Sequence, residues 1–217
     1  MFRAISRKKL FRQSEFTDVL IAGFQQSYAD SADLTVPSEA AVIRKYYDHL
    51  TPCRSTEKAI KGDAVISWPA VSRSAYTEEF PLQLQNYLRL LGIADLYLMN
   101  FTDGNLMDLD FENFRKRNIF KRNGGKNRSG LAYGIRTEEL HHTFPVFMFS
   151  RLYDIPVIFL ISAEKKVPLA LRLCDDGNLH LNFYETDREQ FLGKAAEAGF
   201  VVGDLELCDQ YSTAYLR

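Results

Sequence analysis

Four apolar segments decide the fold: FPVFMF at residues 144–149, IPVIFLI at 155–161, VPLALRL at 167–173 and LHLNFY at 179–184. Each has about the length of a strand and is rich in β-branched and aromatic residues. Between the last two lies Asp175-Asp-Gly-Asn178, whose Asp-Gly pair is typical of a tight hairpin turn. The stretch therefore predicts a mostly antiparallel sheet as the core of the protein.

Helical patterns dominate the chain before these segments. Apolar residues recur at helical spacing after Ser14, Pro37 and Pro81, and Ser14 is a candidate N-cap. One more helix follows the sheet, with Thr186 or Asp187 as its cap. The predicted helices cover residues 14–28, 37–50, 82–91, 108–120 and 186–198, with a short turn or helix at 138–142. Further strands are predicted at 64–68, 93–101 and 201–207.

Helices followed by strands indicate an α+β fold. We expect an N-terminal helical half packed on a C-terminal, mostly antiparallel sheet, with the late helix covering the sheet. This order divides the chain into a helical N-terminal region, residues 1–92, and an α+β sheet region, residues 93–217. We expect the two regions to form one compact domain. Residues 1–12 are predicted as a short basic helix or a frayed tail.

Composition is that of an ordinary globular protein. The net charge of −1 gives the whole molecule no attraction to nucleic acid or to anionic membranes, so any such attraction must be local. The longest apolar run, residues 155–163, is too short to span a bilayer, and the basic N-terminus lacks the apolar region of a signal peptide. We therefore expect no membrane association.

Cysteine content predicts a reducing compartment. Cys53, Cys174 and Cys208 are an odd number of cysteines without Cys-x-x-Cys spacing, which argues against a disulfide framework and against a zinc site. Reduced thiols are typical of cytoplasmic proteins.

The glycine-containing run at 124–130 lacks the spacing of a phosphate-binding Walker loop. We predict no cofactor and no metal ligand.

The most unusual stretch is FRKRNIFKRNGGKNR at 114–128, which holds seven cations and no acid. Cations bind phosphates, Phe120 offers a ring on which bases stack, and Gly124-Gly125 allows close approach of the backbone. The alternatives are a solvated loop with basic flanks and a docking surface for an acidic protein partner. The candidate binding residues are Arg115, Lys116, Arg117, Phe120, Lys121, Arg122, Lys126 and Arg128.

Acidic residues and a histidine pair flank this basic segment. A metal-dependent nuclease would use such carboxylates to hold Mg²⁺ and a histidine as general base. Acids near the start of a helix also favour its dipole, which explains them without a metal. Neighbouring histidines are expected to point in different directions, so one at most would join a given site. The residues concerned are Asp103, Asp108, Asp110, Glu112, His141 and His142.

No recognisable catalytic constellation accompanies these residues, which favours a binding protein, although the sequence leaves open whether the chain is an enzyme. Small bacterial α+β proteins of the immunity type, which neutralise a toxin, are one class-level analogy. The first hypothesis is a protein-interaction module that uses residues 115–128 to contact an acidic partner. The alternatives are a nucleic-acid-binding protein that uses the same segment and a metal-dependent nuclease.

Overall fold

A computed structural model describes residues 1–50, 60, 64–109, 111, 113–148, 158–174 and 178–203. The strands are β1 (Arg3–Ser6), β2 (Ala64–Ser67), β3 (Asp95–Asn100), β4 (Leu131–Arg136), β5 (Ile158–Ser162), β6 (Leu169–Leu173), β7 (Leu179–Phe183) and β8 (Val201–Gly203). The helices are α1 (Arg7–Gln13), α2 (Glu15–Ser31), α3 (Pro37–Tyr46), α4 (Arg73–Leu90), α5 (Phe114–Arg122), α6 (Leu140–Thr143) and α7 (Arg188–Glu197). Short 3₁₀ turns lie at Leu106–Asp108, Thr137–Glu139, Phe144–Val146 and Glu185–Asp187.

The strands form one sheet in the order β1-β4-β3-β5-β6-β7-β2-β8. Every neighbouring pair is antiparallel, so the predicted α+β class and the antiparallel sheet are confirmed. The predicted hairpin is confirmed as the β6–β7 pair, in which Leu171 faces Leu181. Residues 175–177 of its turn lie outside the described part of the chain. Two of the strands, β1 and β2, come from the first 92 residues.

Helices cover both faces of the sheet. Phe24 of α2 packs on Phe159 of β5 with ring centroids 5.0 Å apart. Phe191 of α7 packs on Phe183 of β7 at 5.4 Å, and the Tyr87 hydroxyl of α4 donates to the Phe191 carbonyl at 3.3 Å. The strand register places Phe159 and Phe183 on opposite faces, because side chains alternate along a strand. Both faces therefore contribute to the core.

The first predicted strand is wrong. Phe144–Val146 is a 3₁₀ turn with Pro145 in its first turn, and it follows α6 directly. Its apolar side chains are buried, which is why the sequence resembles a strand. A short apolar run has the same appearance whether it is a buried strand or a buried turn, and periodicity does not separate the two. The other three segments are strands in their described parts.

Two further elements differ from the sequence prediction. The N-terminus begins with the edge strand β1, and the short basic helix α1 starts only at Arg7. Helix α4 starts eight residues before Pro81, because Ser72 caps it by accepting a hydrogen bond from the Ala75 amide at 3.1 Å. Pro81 then lies inside the helix, although a proline usually marks a helix start.

The cap of α2 is confirmed, since Ser14 accepts a hydrogen bond from the Thr17 amide at 3.2 Å. Strand β4 was not predicted, and α5 starts six residues later than the helix predicted at 108–120. Residues 204–207 of the last predicted strand lie outside the described part of the chain. The remaining strand and helix predictions agree with the described residues to within a few positions. Among the helices that the structure describes, none has both the length and the apolar composition needed to cross a bilayer.

Candidate functional site

The basic segment folds as helix α5 followed by a tight loop. Six of the eight candidate binding residues belong to α5. Five of them are exposed or half-buried, and the sixth, Phe120, is buried. Lys126 and Arg128 are exposed in the loop. The Tyr133 hydroxyl fixes the loop backbone, because it accepts a hydrogen bond from the Lys126 amide at 3.0 Å and donates one to the Lys126 carbonyl at 3.2 Å. The segment is therefore an ordered basic surface.

Phe120 corrects the sequence interpretation. Its ring is 0% exposed and contacts the rings of Phe2 at 4.9 Å and of Phe147 and Tyr133 at 5.2 Å. Lys116 lies one turn earlier on the same side of α5, and its ammonium donates to the Met148 carbonyl at 3.0 Å. Phe120 anchors the helix to the core, so it offers no face on which a nucleic-acid base stacks.

Both ends of α5 are capped. Asn113 accepts a hydrogen bond from the Lys116 amide at 3.0 Å. At the other end the Gly125 amide donates to the Phe120 carbonyl at 3.0 Å and the Gly124 amide to the Lys121 carbonyl at 3.3 Å, which is the pattern of a Schellman motif. A helix fixed at both termini presents its outer side chains on a rigid frame.

Gly124 and Gly125 allow their backbone to pack closely against other residues of the protein. Gly124 has φ +107°, and a Cβ there would lie 2.6 Å from the Phe2 carbonyl oxygen. A Cβ on Gly125 would lie 2.8 Å from the ring of Phe120. The sequence suggested that these glycines let a phosphate approach the backbone. Their packing against Phe2 and Phe120 explains the two glycines without a phosphate.

The outer side of α5 combines cations with exposed apolar groups. Phe114 is 73% and Ile119 is 42% exposed. At 100° per residue, Arg117 and Lys121 lie on one flank of Phe114 and Arg115 and Arg122 on the other. We call these six residues the α5 surface. They are Phe114, Arg115, Arg117, Ile119, Lys121 and Arg122.

The cations of the α5 surface are not neutralised locally. No acid occurs between residues 113 and 130. None of Arg115, Arg117, Lys121 and Arg122 forms a salt bridge with any residue that the structure describes. Four like charges close together on two helical turns repel one another, so an anionic partner would be favourable here.

A second polar cluster lies at the end of β3, around Arg7, which is 1% exposed. Its guanidinium donates to both carboxylate oxygens of Asp48 at 3.1 Å, to the Phe101 carbonyl at 3.2 Å and to the Asn100 carbonyl. Gln25 of α2 donates to the same carboxylate at 2.9 Å and to the Phe101 carbonyl at 2.6 Å. The cluster ties α1 and α2 to the central strands.

Two carboxyl groups at this cluster have opposite pKa shifts. Burial acts to raise the pKa of Asp48, but the charge of Arg7 and hydrogen bonds from Arg7 and Gln25 outweigh it, so that pKa is lowered. Burial and the nearby charge of Asp48 raise the pKa of Asp103, against the attraction of Arg7. The hydrogen bonds of the cluster connect helices α1 and α2 to the central strands, so we assign it a structural role.

The nuclease candidates are only partly described. Asp108 is exposed, whereas Asp110 and Glu112 lie outside the described residues. The imidazole rings of His141 and His142 lie 3.7 Å apart, so the expectation that they point in different directions is wrong. The imidazoles extend far enough from the backbone for adjacent rings to meet. Within the described ranges, no group of three or more potential metal ligands converges.

Sequence reasoning missed a polar face on the strands β6 and β7. Arg172 faces His180 across the two strands, and His180 is 7% exposed. The signal was present, because polar residues alternate with leucines in LRLCDDGNLHLN at 171–182. Such alternation places polar side chains on one face of a sheet.

Comparisons with protein-family models, with curated proteins and with solved structures find no match for this chain. Its function is therefore inferred from the charge, exposure and rigidity of its surfaces.

Proposed function

We propose that this chain is a binding module that docks an acidic protein partner on the α5 surface. The observation that carries the proposal is a set of four cations, without salt bridges to described residues, around the exposed ring of Phe114 on a helix capped at both ends. Arginine and aromatic side chains are enriched among the residues that contribute most to protein interfaces. Acidic groups on the partner would complement the cations.

One observation favours a protein partner over nucleic acid. The ring expected to stack on bases, Phe120, is buried, which leaves the two exposed apolar side chains of the helix, Phe114 and Ile119, on different sides of it. A toxin-neutralising, immunity-type protein in the bacterial cytoplasm is a narrower form of the same proposal.

The test compares two variants of the α5 surface with a matched control. The first carries Arg115→Gln, Arg117→Gln and Arg122→Gln, and the second carries Phe114→Ala. The control carries the same number of changes on exposed cations of α1: Lys8→Gln, Lys9→Gln and Arg12→Gln. Fluorescence anisotropy is measured with a labelled Glu-rich peptide that contains Leu and Trp, with single-stranded RNA and with duplex DNA, over a salt series.

We expect the peptide to bind most tightly and the triple variant to weaken that binding by about tenfold, since each exposed ion pair contributes up to ~1 kcal/mol. Phe114→Ala should also weaken peptide binding, although it changes no charge. The α1 control should bind the peptide as the wild type does. Tighter binding of RNA or DNA at about 0.15 M salt, lost in the triple variant, would support the nucleic-acid alternative instead. Equal binding by all variants would exclude the α5 surface.

A further inference from the structure

Strand β1 lies at one end of the sheet and has an open edge. Within the described ranges it pairs with β4 alone, with Ala4 opposite Tyr133. Ala4 and Ser6 are both exposed. The outer edge of a sheet presents amide and carbonyl groups to which another chain can add a strand.

The hydrogen bonds around β1 show which of its backbone groups face outward. The Arg7 amide continues the pairing with β4, because it donates to the carbonyl that precedes β4 at 3.0 Å. Backbone groups alternate sides along a strand, so every second residue counted back from Arg7 faces β4, while Ala4 and Ser6 face away from it. The Phe2 amide agrees, since it donates outward to the Asn123 carbonyl at 2.8 Å. The amide and carbonyl of Ala4 and the amide of Ser6 therefore point to the open side.

The basic segment runs beside this edge. The loop after α5 follows β1 along its length, since the Asn123 carbonyl bonds the start of the strand and the Gly130 carbonyl bonds the residue after its end. Lys126 and Arg128 lie in this loop and are exposed. Neither forms a salt bridge with any residue that the structure describes. These two candidate binding residues are not part of the α5 surface, and their place next to β1 gives them a separate role.

Packing fixes the face of the sheet on which these cations lie. The Phe2 ring contacts the ring of Phe120 of α5 at 4.9 Å and the ring of Tyr133 at 6.2 Å. Tyr133 in turn bonds the backbone of Lys126 through its hydroxyl. Helix α5 and its loop therefore lie on the face of β1 to which Phe2 points, whereas the half-buried Ile5 points to the other face.

We propose that an acidic segment of the partner adds to the open edge of β1 as an extra strand, an inference that rests on the proposed docking of an acidic protein. Side chains alternate along a strand, so the acids must occupy every second position to reach the cations on the α5 side. Apolar residues between the acids would lie beside Ile5. The positive charge comes from Lys121 and Arg122 at the end of α5 and from Lys126 and Arg128 in the loop.

A second copy of this chain is a poor occupant of the same edge. Two β1 edges side by side would bring two basic segments together, and like charges repel. The open edge offers only the few backbone groups of Ala4 and Ser6, so hydrogen bonds alone would hold an added strand weakly. Charge complementarity therefore selects an acidic strand.

The probe is a labelled peptide of alternating glutamate and valine, compared with a peptide of the same composition in which the glutamates form one block. Two further versions of the alternating peptide carry N-methyl groups, on the glutamate amides in one and on the valine amides in the other. In an added strand only one of these sets of amides faces β1, so only its methylation removes the donors that β1 needs. We expect fluorescence anisotropy to show tighter binding of the alternating peptide than of the block peptide. Binding should fall about tenfold for one methylated version and little for the other.

Variants of β1 and of the loop locate the site. Ala4→Pro removes an amide that faces the open edge, and proline is tolerated where a strand amide faces solvent. We expect it to melt close to the wild type and to bind the alternating peptide about tenfold more weakly. Ala4→Val, which keeps that amide, should bind as the wild type does. Lys126→Gln combined with Arg128→Gln should weaken binding about fivefold, as expected for two exposed ion pairs.

The methylated peptides are tested on the wild-type protein, so they decide the question even if Ala4→Pro destabilises the fold. Equal affinities of the two methylated versions, whether both high or both low, would overturn the addition of a strand to β1. If the alternating peptide then still loses affinity in the α5 triple variant, docking on the α5 surface stands without the added strand. If neither this peptide nor the Glu-rich peptide binds, both proposals fail.

Discussion

Arg7 carries a buried charge that is balanced by its hydrogen-bond partners. Its side chain is 1% exposed, and Asp48 supplies the counter-charge through two hydrogen bonds of 3.1 Å. The guanidinium also binds the carbonyl of Phe101, as does Gln25. Removing one member of a buried ion pair leaves the other uncompensated, which costs more than the pair itself contributes.

We therefore predict that Asp48→Asn destabilises the protein by about 3–5 kcal/mol near neutral pH, since it leaves the Arg7 charge buried without its counter-charge. The double variant Arg7→Met with Asp48→Asn should be more stable than Asp48→Asn alone. Urea unfolding of the two single variants and the double variant gives the coupling energy. Strictly additive effects would show that the ion pair is not coupled and would contradict this account.

Single residues of α5 also show where sequence reasoning ends. Phe114 and Phe120 lie on the same basic helix, and nothing local says which of the two faces the core. The rings of Phe2 and Phe147, which are distant in sequence, pack on Phe120. Phe114 is 73% exposed. The sequence showed that Arg172 and His180 alternate with leucines. It did not show how far the two side chains are buried, because that depends on which other elements cover that face of the sheet.

At the scale of elements, α5 depends on the close packing of its C-terminal turn. Gly124 adopts φ +107°, a conformation that L side chains rarely adopt, and its Cα faces the Phe2 carbonyl. We predict that Gly124→Ala destabilises the protein by more than ~1 kcal/mol, through the left-handed backbone and the clash at 2.6 Å. It should also weaken peptide binding, because the α5 surface loses its rigid frame.

Gly193 provides the matched control within another helix. It lies inside α7, its φ is not positive, and a Cβ there meets nothing within 4 Å. Gly193→Ala should therefore stabilise the protein by about 0.5–1 kcal/mol, because alanine is the better helix former. Chemical unfolding measures both variants, and two changes of the same sign would contradict the role given to Gly124.

For the molecule as a whole, the sequence was enough to predict the α+β class, the β6–β7 hairpin and most helices, since these follow from local periodicity and turn residues. The edge of the sheet was not predictable in the same way. Gly134 interrupts the apolar pattern of β4, and β1 becomes a strand because Arg3 pairs with Gly134 across more than half of the chain. Such pairings depend on tertiary contacts that override local preference.

The same tertiary contacts give the folded molecule a specific response to acid. The pKa of Asp48 is lowered on folding, so its contribution to stability is present above its ordinary pKa and is lost as the pH falls through the lowered value. The pKa of Asp103 is raised, so its ionisation opposes folding at neutral pH, and protonation removes that penalty as the pH falls through the raised value. The two groups therefore act in opposite directions on either side of the ordinary carboxyl pKa of about 4.

We predict that the free energy of unfolding of the wild type holds or rises slightly on acidification towards about pH 4 and falls below it. Asp103→Asn should be at least as stable as the wild type at neutral pH and should lose the rise. Asp48→Asn should differ most from the wild type at neutral pH and approach it in acid, where the wild-type carboxyl is itself protonated. Urea unfolding across this pH range measures all three proteins. A stability difference between Asp48→Asn and the wild type that stays constant with pH would show that the Asp48 charge does not stabilise the fold through Arg7.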